Sequence, residues 1–224
     1  TKEKLVFQRR KDYWGENEKF NKNLHNFDKI EFIVEKNDEK SFERFKKGDF
    51  DAYEVLVAKR WVEETDFEEV QRGLIQKRKI FNQQAQGFSG IVFNMRRPPF
   101  DNIKIRSAFV FLFHREKFIK DFFFNEYEPL DSYFPGSVYA NPKNPLYRYD
   151  FNKALSLLKE AGWHNKNEEG WLVKEGKILE VTLYVPPSLM PLLEKIYQVD
   201  LKKAGIKLNL AAPKPEVTAK REFD

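Results

Sequence analysis

The chain has 224 residues, 41% of them hydrophobic and 33% charged, enough for one large domain or two modest ones and clear of the disordered regime. It has no cysteine, which excludes disulfides, thiolate metal sites and a cysteine nucleophile, and its three histidines lack ligand spacing, so no metal or other cofactor is expected. The net charge of +5 is a mild excess spread along the chain, and no apolar run approaches the roughly 20 residues of a membrane-spanning helix.

Thr1-Lys2-Glu3-Lys4 shows no signal-peptide pattern, so the chain is expected to begin as mature protein or partway through something longer. Residues 4–10 read as a strand ending in a turn at Asp12-Tyr13-Trp14-Gly15. Asp28 to Glu35 alternates, with Ile30, Phe32 and Val34 on one side. Asn37-Asp38 opens a short helix, with Asp38 as acceptor for its first free N–H groups and Gly48 as its stop. Phe50 to Val57 reads as a second strand, so strand, helix and strand have the form of a compact βαβ crossover. Lys59 to Gly73 is irregular.

Lys77 to Phe81 and Phe88 to Met95 read as strands, the second buried on both faces. Arg96-Arg97-Pro98-Pro99-Phe100-Asp101 is a rigid loop, since each proline fixes its own φ and restricts its predecessor. Asn102 caps a helix whose apolar stripe runs from Ile105 to Phe122. Pro129 to Tyr149 is a loop with five aromatic positions, Tyr133, Phe134, Tyr139, Tyr147 and Tyr149. Asp150 caps the next helix and Gly162 stops it; Asn165 to Gly176 is a β-hairpin. Ile178 to Val185, Pro191 to Ala204 (stopped by Gly205) and Ile206 to Leu210 form a strand–helix–strand unit with parallel strands. Pro213 to Asp224 loses all periodicity. Trp14 and Trp163, at element ends, are expected as core anchors, and Arg106 is expected to pair with an acid such as Asp101.

Five of these pieces, in chain order, resemble the family 5 solute-binding proteins, the extracytoplasmic receptors of peptide and nickel ABC importers. Arg10-Lys11-Asp12-Tyr13-Trp14-Gly15 is similar to their Arg-Asn-x-Asp-Tyr-Trp-Gly turn, and Asp28 through Gly48-Asp49-Phe50-Asp51 to their βαβ unit. Phe93-Asn94, Arg97-Pro98-Pro99-Phe100-Asp101 and Ile105-Arg106-Ser107-Ala108 resemble the signature Phe-Asn, Pro-Pro-Phe-x-Asp, (Val/Ile)-Arg-x-Ala. Asp150 to Trp163 resembles the family's Tyr-Asp…Glu-Ala-Gly-Trp helix, and Lys202 to Ile206 its Leu-Lys-x-x-Gly-Ile. Ala58-Lys59-Arg60-Trp61, Gln86-Gly87-Phe88 and Asp131-Ser132-Tyr133-Phe134 are most like the branch that binds oligopeptides and the antibiotic microcin C.

The resemblance implies an α/β fold of the type II periplasmic-binding-protein kind, two lobes each with a mixed sheet flanked by helices. It implies an internal piece of a longer protein: residues 1–75 as part of lobe one, 76–86 as the crossover strand and hinge, and 87–224 as the first part of lobe two. Missing sheet neighbours would leave open edges, so either marginal stability or association with another copy is expected. The implied partners are an oligopeptide or peptide-like molecule and the permease subunits of an ABC transporter, with no nucleic acid. The implied location is periplasmic or extracytoplasmic, and a lipid anchor, if the full-length protein has one, lies outside this chain.

Capture of a peptide of any sequence needs backbone donors and acceptors plus roomy, ring-lined pockets. Alternation puts Gln86, Phe88, Gly90 and Val92 on one face of a strand whose counterpart in oligopeptide binders lines the cleft, with Gly90 allowing close backbone approach. The plain alternative is a buried central strand. Tyr133 and Phe134 form a loop-borne aromatic rim over a ligand, or else close the core above the 105–122 helix. Trp61 stacks on ligand or packs under a loop, and Arg97, beside Arg96, is a candidate carboxylate clamp or a solvated loop residue.

An enzyme is not expected: no catalytic triad in recognisable context, phosphate loop or metal-binding histidine pair is legible, and adjacent acids such as Glu63-Glu64 sit on ordinary helix faces. The alternative from another class is a nucleic-acid-binding basic, aromatic α/β protein, but basic residues interleave with acids rather than cluster.

Overall fold

Branched and aromatic residues favour extended chain, and Lys4–Gln8 (β1) and Lys29–Ile33 (β2) pair antiparallel with Leu5 opposite Phe32 and Phe7 opposite Ile30. The structure is a computed structural model and describes residues 4–81 and 87–213. Gln86 and the tail from 214 onward, both assigned above, lie outside the described residues. Two units separate: one takes the described residues through Leu56 with Phe67–Ile75, the other Val57–Asp66 with those from Gln76 onward.

In the first unit, helix α1 (Asp38–Lys46) starts one residue earlier than the expected capping role implied. Asn37 is the cap, its side-chain oxygen accepting from the Lys40 N–H at 2.9 Å, while Asp38 accepts from the Tyr53 hydroxyl at 2.8 Å. The first residue inside a helix has helical backbone angles and cannot fold its side chain back onto the first free donors as the residue before it can. Phe42 is buried among the rings of Tyr53 and Phe67, at 5.5 and 6.2 Å. Helix α2 (Glu68–Gln71) is a single turn.

The βαβ expectation is overturned: Phe50 to Val57 is no strand, and β2 pairs with β1 instead. Lys77–Phe81 and Phe88–Met95 are likewise unpaired. Extended chain becomes a strand only when a neighbour completes its hydrogen-bond ladder, and none does so among the described residues. Trp14, expected as a core anchor, is 77% exposed and touches only the neighbouring ring of Tyr13 among the ring contacts described.

The second unit holds the hydrophobic core. Helix α3 (Ile103–Phe111) is capped by Asn102, whose side chain accepts from Lys104 N–H at 2.8 Å. Its buried Ile105, Ala108 and Phe109, with Leu112 beyond its end, follow the helical period. The single long helix expected to Phe122 is two, because α4 (Arg115–Phe123) starts afresh at His114, whose Nδ1 accepts from Lys117 N–H at 3.2 Å. The last carbonyls of α3 are satisfied by other groups: the Tyr197 hydroxyl donates to Phe109 O at 3.0 Å, and Asp150 N–H donates to Phe111 O at 3.0 Å. Arg106 donates to the carbonyls of Phe100 (2.7 Å) and Asp101 (3.2 Å), so the expected pairing with the Asp101 carboxylate is replaced by backbone acceptors that lie nearer its fork.

Helix α5 (Phe151–Glu160) begins at Asp150, which accepts from Lys153 N–H at 2.8 Å. It packs on α3, and each contributes a fully buried alanine, Ala154 and Ala108. Strands β3 (Asn165–Lys166), β4 (Leu172–Lys174) and β5 (Lys177–Ile178) form an antiparallel sheet. Strand β6 (Glu180–Tyr184) pairs in parallel with β7 (Lys207–Ala211), Val181 facing Leu208. A helical run connects them, including α6 (Met190–Leu193), a wide π-type turn at Glu194–Gln198 and α7 (Val199–Ala204). At its end Gly205 has φ +94°, and a Cβ there would lie 3.0 Å from Gly170 O, so both the conformation and the space call for glycine. Trp163 packs against the core, as expected.

Candidate functional site

The segment after Gly87 keeps the alternation read from sequence but not the burial. Ile91 and Phe93 turn inward, Phe93 meeting the rings of Phe100 at 4.7 Å and Phe109 at 6.0 Å. Phe88, Gly90 and Val92 face out, with Val92 90% exposed. A strand buried on both faces is therefore excluded: only one face has a core to pack on. The outer face is not featureless, because Phe88 meets Tyr133 edge to face with centroids 4.8 Å apart, and such a pair is attractive through the ring quadrupoles.

Tyr133 and Phe134 are both exposed, which removes the alternative that they close the core. They belong to a loop built from short-range bonds. The Ser132 hydroxyl accepts from Phe134 N–H at 3.0 Å, and the Ser137 hydroxyl donates to Phe134 O at 3.0 Å and accepts from Tyr139 N–H at 3.1 Å. Tyr139 packs on Phe134 with centroids 6.1 Å apart. At the loop's mouth, Arg115 donates to the carbonyls of Leu130 and Tyr147, each at 2.7 Å. Asn144 adds a bond to Asp131 O at 2.7 Å. Tyr149 stacks on the His114 ring at 4.5 Å, and burial followed by the nearby Asp200 carboxylate raises its phenol pKa.

Trp61 is half-buried, and Lys77 places its ammonium 4.3 Å from the indole while donating to Trp61 O at 2.5 Å. One indole face thus carries a cation, and Lys79, ion-paired with Glu126 at 2.5 Å, lies 5.8 Å from the same ring. Arg97 and Arg96 are exposed in their loop, and neither pairs with a carboxylate among the described residues. The structure brings together Phe88 and Tyr133, with Phe134 adjacent in the loop; it gives no contact joining Trp61 or Arg97 to them. Sequence reading passed over Arg115 and Lys77, because their acceptors are backbone carbonyls and carry no side-chain signature.

The buried Tyr197 phenol, its pKa pushed far up by burial, serves the core through Phe109 O rather than any surface. Two open depressions of about 580 and 390 Å³ lie in the first unit, and neither is lined by any of the candidate ligand residues read from sequence. Among the described residues no cluster of histidine, aspartate and glutamate could hold a metal, and no helix is long and apolar enough to cross a membrane.

Comparison with known proteins gives one consistent result. The family described as "Bacterial extracellular solute-binding proteins, family 5 Middle" matches residues 1–224. YejA of Escherichia coli K12 is 28% identical over 92% of this chain and 40% of its own length. The "Probable peptide-binding protein YejA" of Agrobacterium fabrum is 25% identical over 90% of this chain and 39% of its own length. A periplasmic oligopeptide-binding protein of an oligopeptide ABC transporter from Thermotoga maritima superposes with a TM-score of 0.74 at 19% identity, covering 97% of this chain and 42% of that one, which shows the shared fold. The chain thus spans about 40% of the length of the relatives it matches. Nothing in these relatives favours the nucleic-acid alternative, which is set aside.

Proposed function

Because this chain belongs to the family 5 bacterial extracellular solute-binding proteins, we propose that it serves as an extracytoplasmic receptor, capturing a peptide-like solute and delivering it unchanged to an ABC permease. The observation that carries this reading is the outward face of Phe88, Gly90 and Val92, with Tyr133 set edge-on against Phe88. Rings left in water there have apolar surface to gain by covering a ligand side chain, at about 25 cal/mol per Å². The extended backbone beside Gly90 has no strand partner among the described residues, and a peptide main chain of any sequence could pair with it. A relative named as a probable peptide-binding protein supports the same ligand class. Phe88, Gly90, Val92, Tyr133 and Phe134 are the ligand face in this reading; Gln86, Trp61 and Arg97 extend it, with Arg97 available for a carboxylate.

The test is retention of peptides from a randomised pentapeptide library, identified by mass spectrometry, by this chain and by the longest natural polypeptide that contains it. Retained species should survive a rise in salt, since ring burial and main-chain pairing are screened little. Failure of both proteins to retain any peptide overturns the reading, and so does retention that collapses with salt as a polyanion's would.

A further inference from the structure

Arg115 is the first residue of α4, and its guanidinium spans the two stems of the 130–147 segment by donating to Leu130 O and Tyr147 O. A guanidinium carries five donors in a rigid planar fork, so two carbonyls held by it are fixed relative to each other and to the helix that bears it. No carboxylate pairs with it among the described residues, so its donors organise backbone rather than neutralise charge.

Little else holds this loop. Its bonds at Ser132, Ser137 and Asn141 run between residues two or three apart, and the one longer bond inside the segment among the described residues is that from Asn144 to Asp131 O. Tyr133, Phe134 and Tyr139 are exposed, so no buried apolar anchor ties the tip to the core. The Tyr147 stem has further support from the Phe111 ring at 5.5 Å and from the Asp150–Phe111 backbone bond. The Leu130 stem has Arg115 and, one residue on, the bond from Asn144 to Asp131 O. The contact between Tyr133 and Phe88 lies three residues from Leu130 and inherits its placement from that stem.

We propose that Arg115 is a positioning residue: by clamping Leu130 and Tyr147 it sets Tyr133 against Phe88 and so builds the aromatic face that receives an apolar or aromatic ligand side chain. This rests on the peptide-receptor reading above for its ligand half, and on geometry alone for its clamp half. The clamp acts through Tyr133, so loss of either residue removes the same surface, and their effects on binding are not additive.

The experiment uses the longest natural polypeptide containing this chain, with the tightest pentapeptide retained from the randomised library as probe. Arg115→Ala and Tyr133→Ala should each weaken binding about tenfold, and the double variant should be no weaker than about twofold beyond either one. Hydrogen exchange should rise about tenfold in Arg115→Ala at the loop amides of Phe134, Ser137, Tyr139 and Ala140, with α5 amides unchanged. Arg115→Lys keeps the charge but not the fork, and should leave loop exchange raised. Fully additive losses, or unaltered affinity in Arg115→Ala, overturn the ligand half. Unaltered loop exchange, or equally raised exchange in α5, overturns the clamp. If the unsubstituted protein retains no peptide, the receptor reading and the ligand half fall together, and the exchange arm still decides the clamp.

Discussion

The two units use similar residues to different ends. In the second, apolar side chains spaced along α3, α5, β6, α7 and β7 meet in one contiguous cluster that includes Ile105, Leu158, Val181, Leu201 and Leu208. In the first, Ile30, Phe32 and Val34 alternate equally well and, with Leu5 and Phe7 on the facing strand, remain exposed, and Phe42 is the buried apolar side chain among that unit's described residues. A periodic pattern creates an apolar face, but burial needs a second face to meet it. Helices packed across a parallel strand pair supply one; a two-stranded antiparallel ribbon, marginal by itself, does not. Urea unfolding should therefore show the second unit resisting denaturant longer than the first.

The comparison is broken most directly by truncating one apolar side chain to alanine in each unit. Leu158→Ala removes a fully buried leucine and should destabilise the second unit by about 2–5 kcal/mol in urea titration. Phe32→Ala removes a larger group that is mostly in water and loses chiefly its edge-on contact with Phe7 at 5.7 Å, a cost of about 1 kcal/mol. Equal losses would show that the two faces are covered alike in solution. A smaller cut sharpens the same point. Tyr197→Phe keeps the packing but leaves Phe109 O without its donor in the core, which should cost about 1–3 kcal/mol. Loss of a helix cap is smaller still: Asp150→Ala and Asn37→Ala should each cost about 1 kcal/mol, the first moving the later urea transition and the second the earlier one. A single transition moved by both substitutions would sink the idea of two unequally stable units.

What was legible in the sequence divides along the same line. Asn102 and Asp150 as caps, Gly48 and Gly205 as stops, and the 165–176 hairpin depend on residues a few positions apart, and they stand where the pattern put them. The strand at 50–57 needed a ladder partner that no local pattern names, and the long helix from Ile105 to Phe122 broke because the His114 ring takes up a backbone donor. At the candidate site, alternation separated Phe88, Gly90 and Val92 from Ile91 and Phe93 correctly, yet their burial was misjudged because it depends on the core beneath one face only. The meeting of Phe88 with Tyr133 and the hold of Arg115 on Leu130 join residues distant in sequence through ring edges and carbonyls, which carry no signature in a one-dimensional reading.

The weakest effect belongs to the first unit and concerns charge. Glu31 stands on β2 with Lys29 two residues away on the same face and Lys4 diagonally across on β1, 2.9 Å from its carboxylate. Hydrogen bonds from Lys29 and then Lys4 hold its pKa down from 4.5 to about 2. A carboxyl depressed in the folded state stabilises that state fully above its unfolded pKa, and the contribution fades as pH falls from about 4.5 toward 2. The group is open to solvent, so salt should screen the effect and its share of stability should be small. Following the Glu31 carboxyl carbon by NMR should give a titration midpoint near 2 at low salt, rising toward the ordinary value as salt is added. A midpoint of 4.5 at low salt would mean that the two lysines do not hold the carboxylate in solution, and that the β1–β2 ribbon lacks even this cross-strand tie.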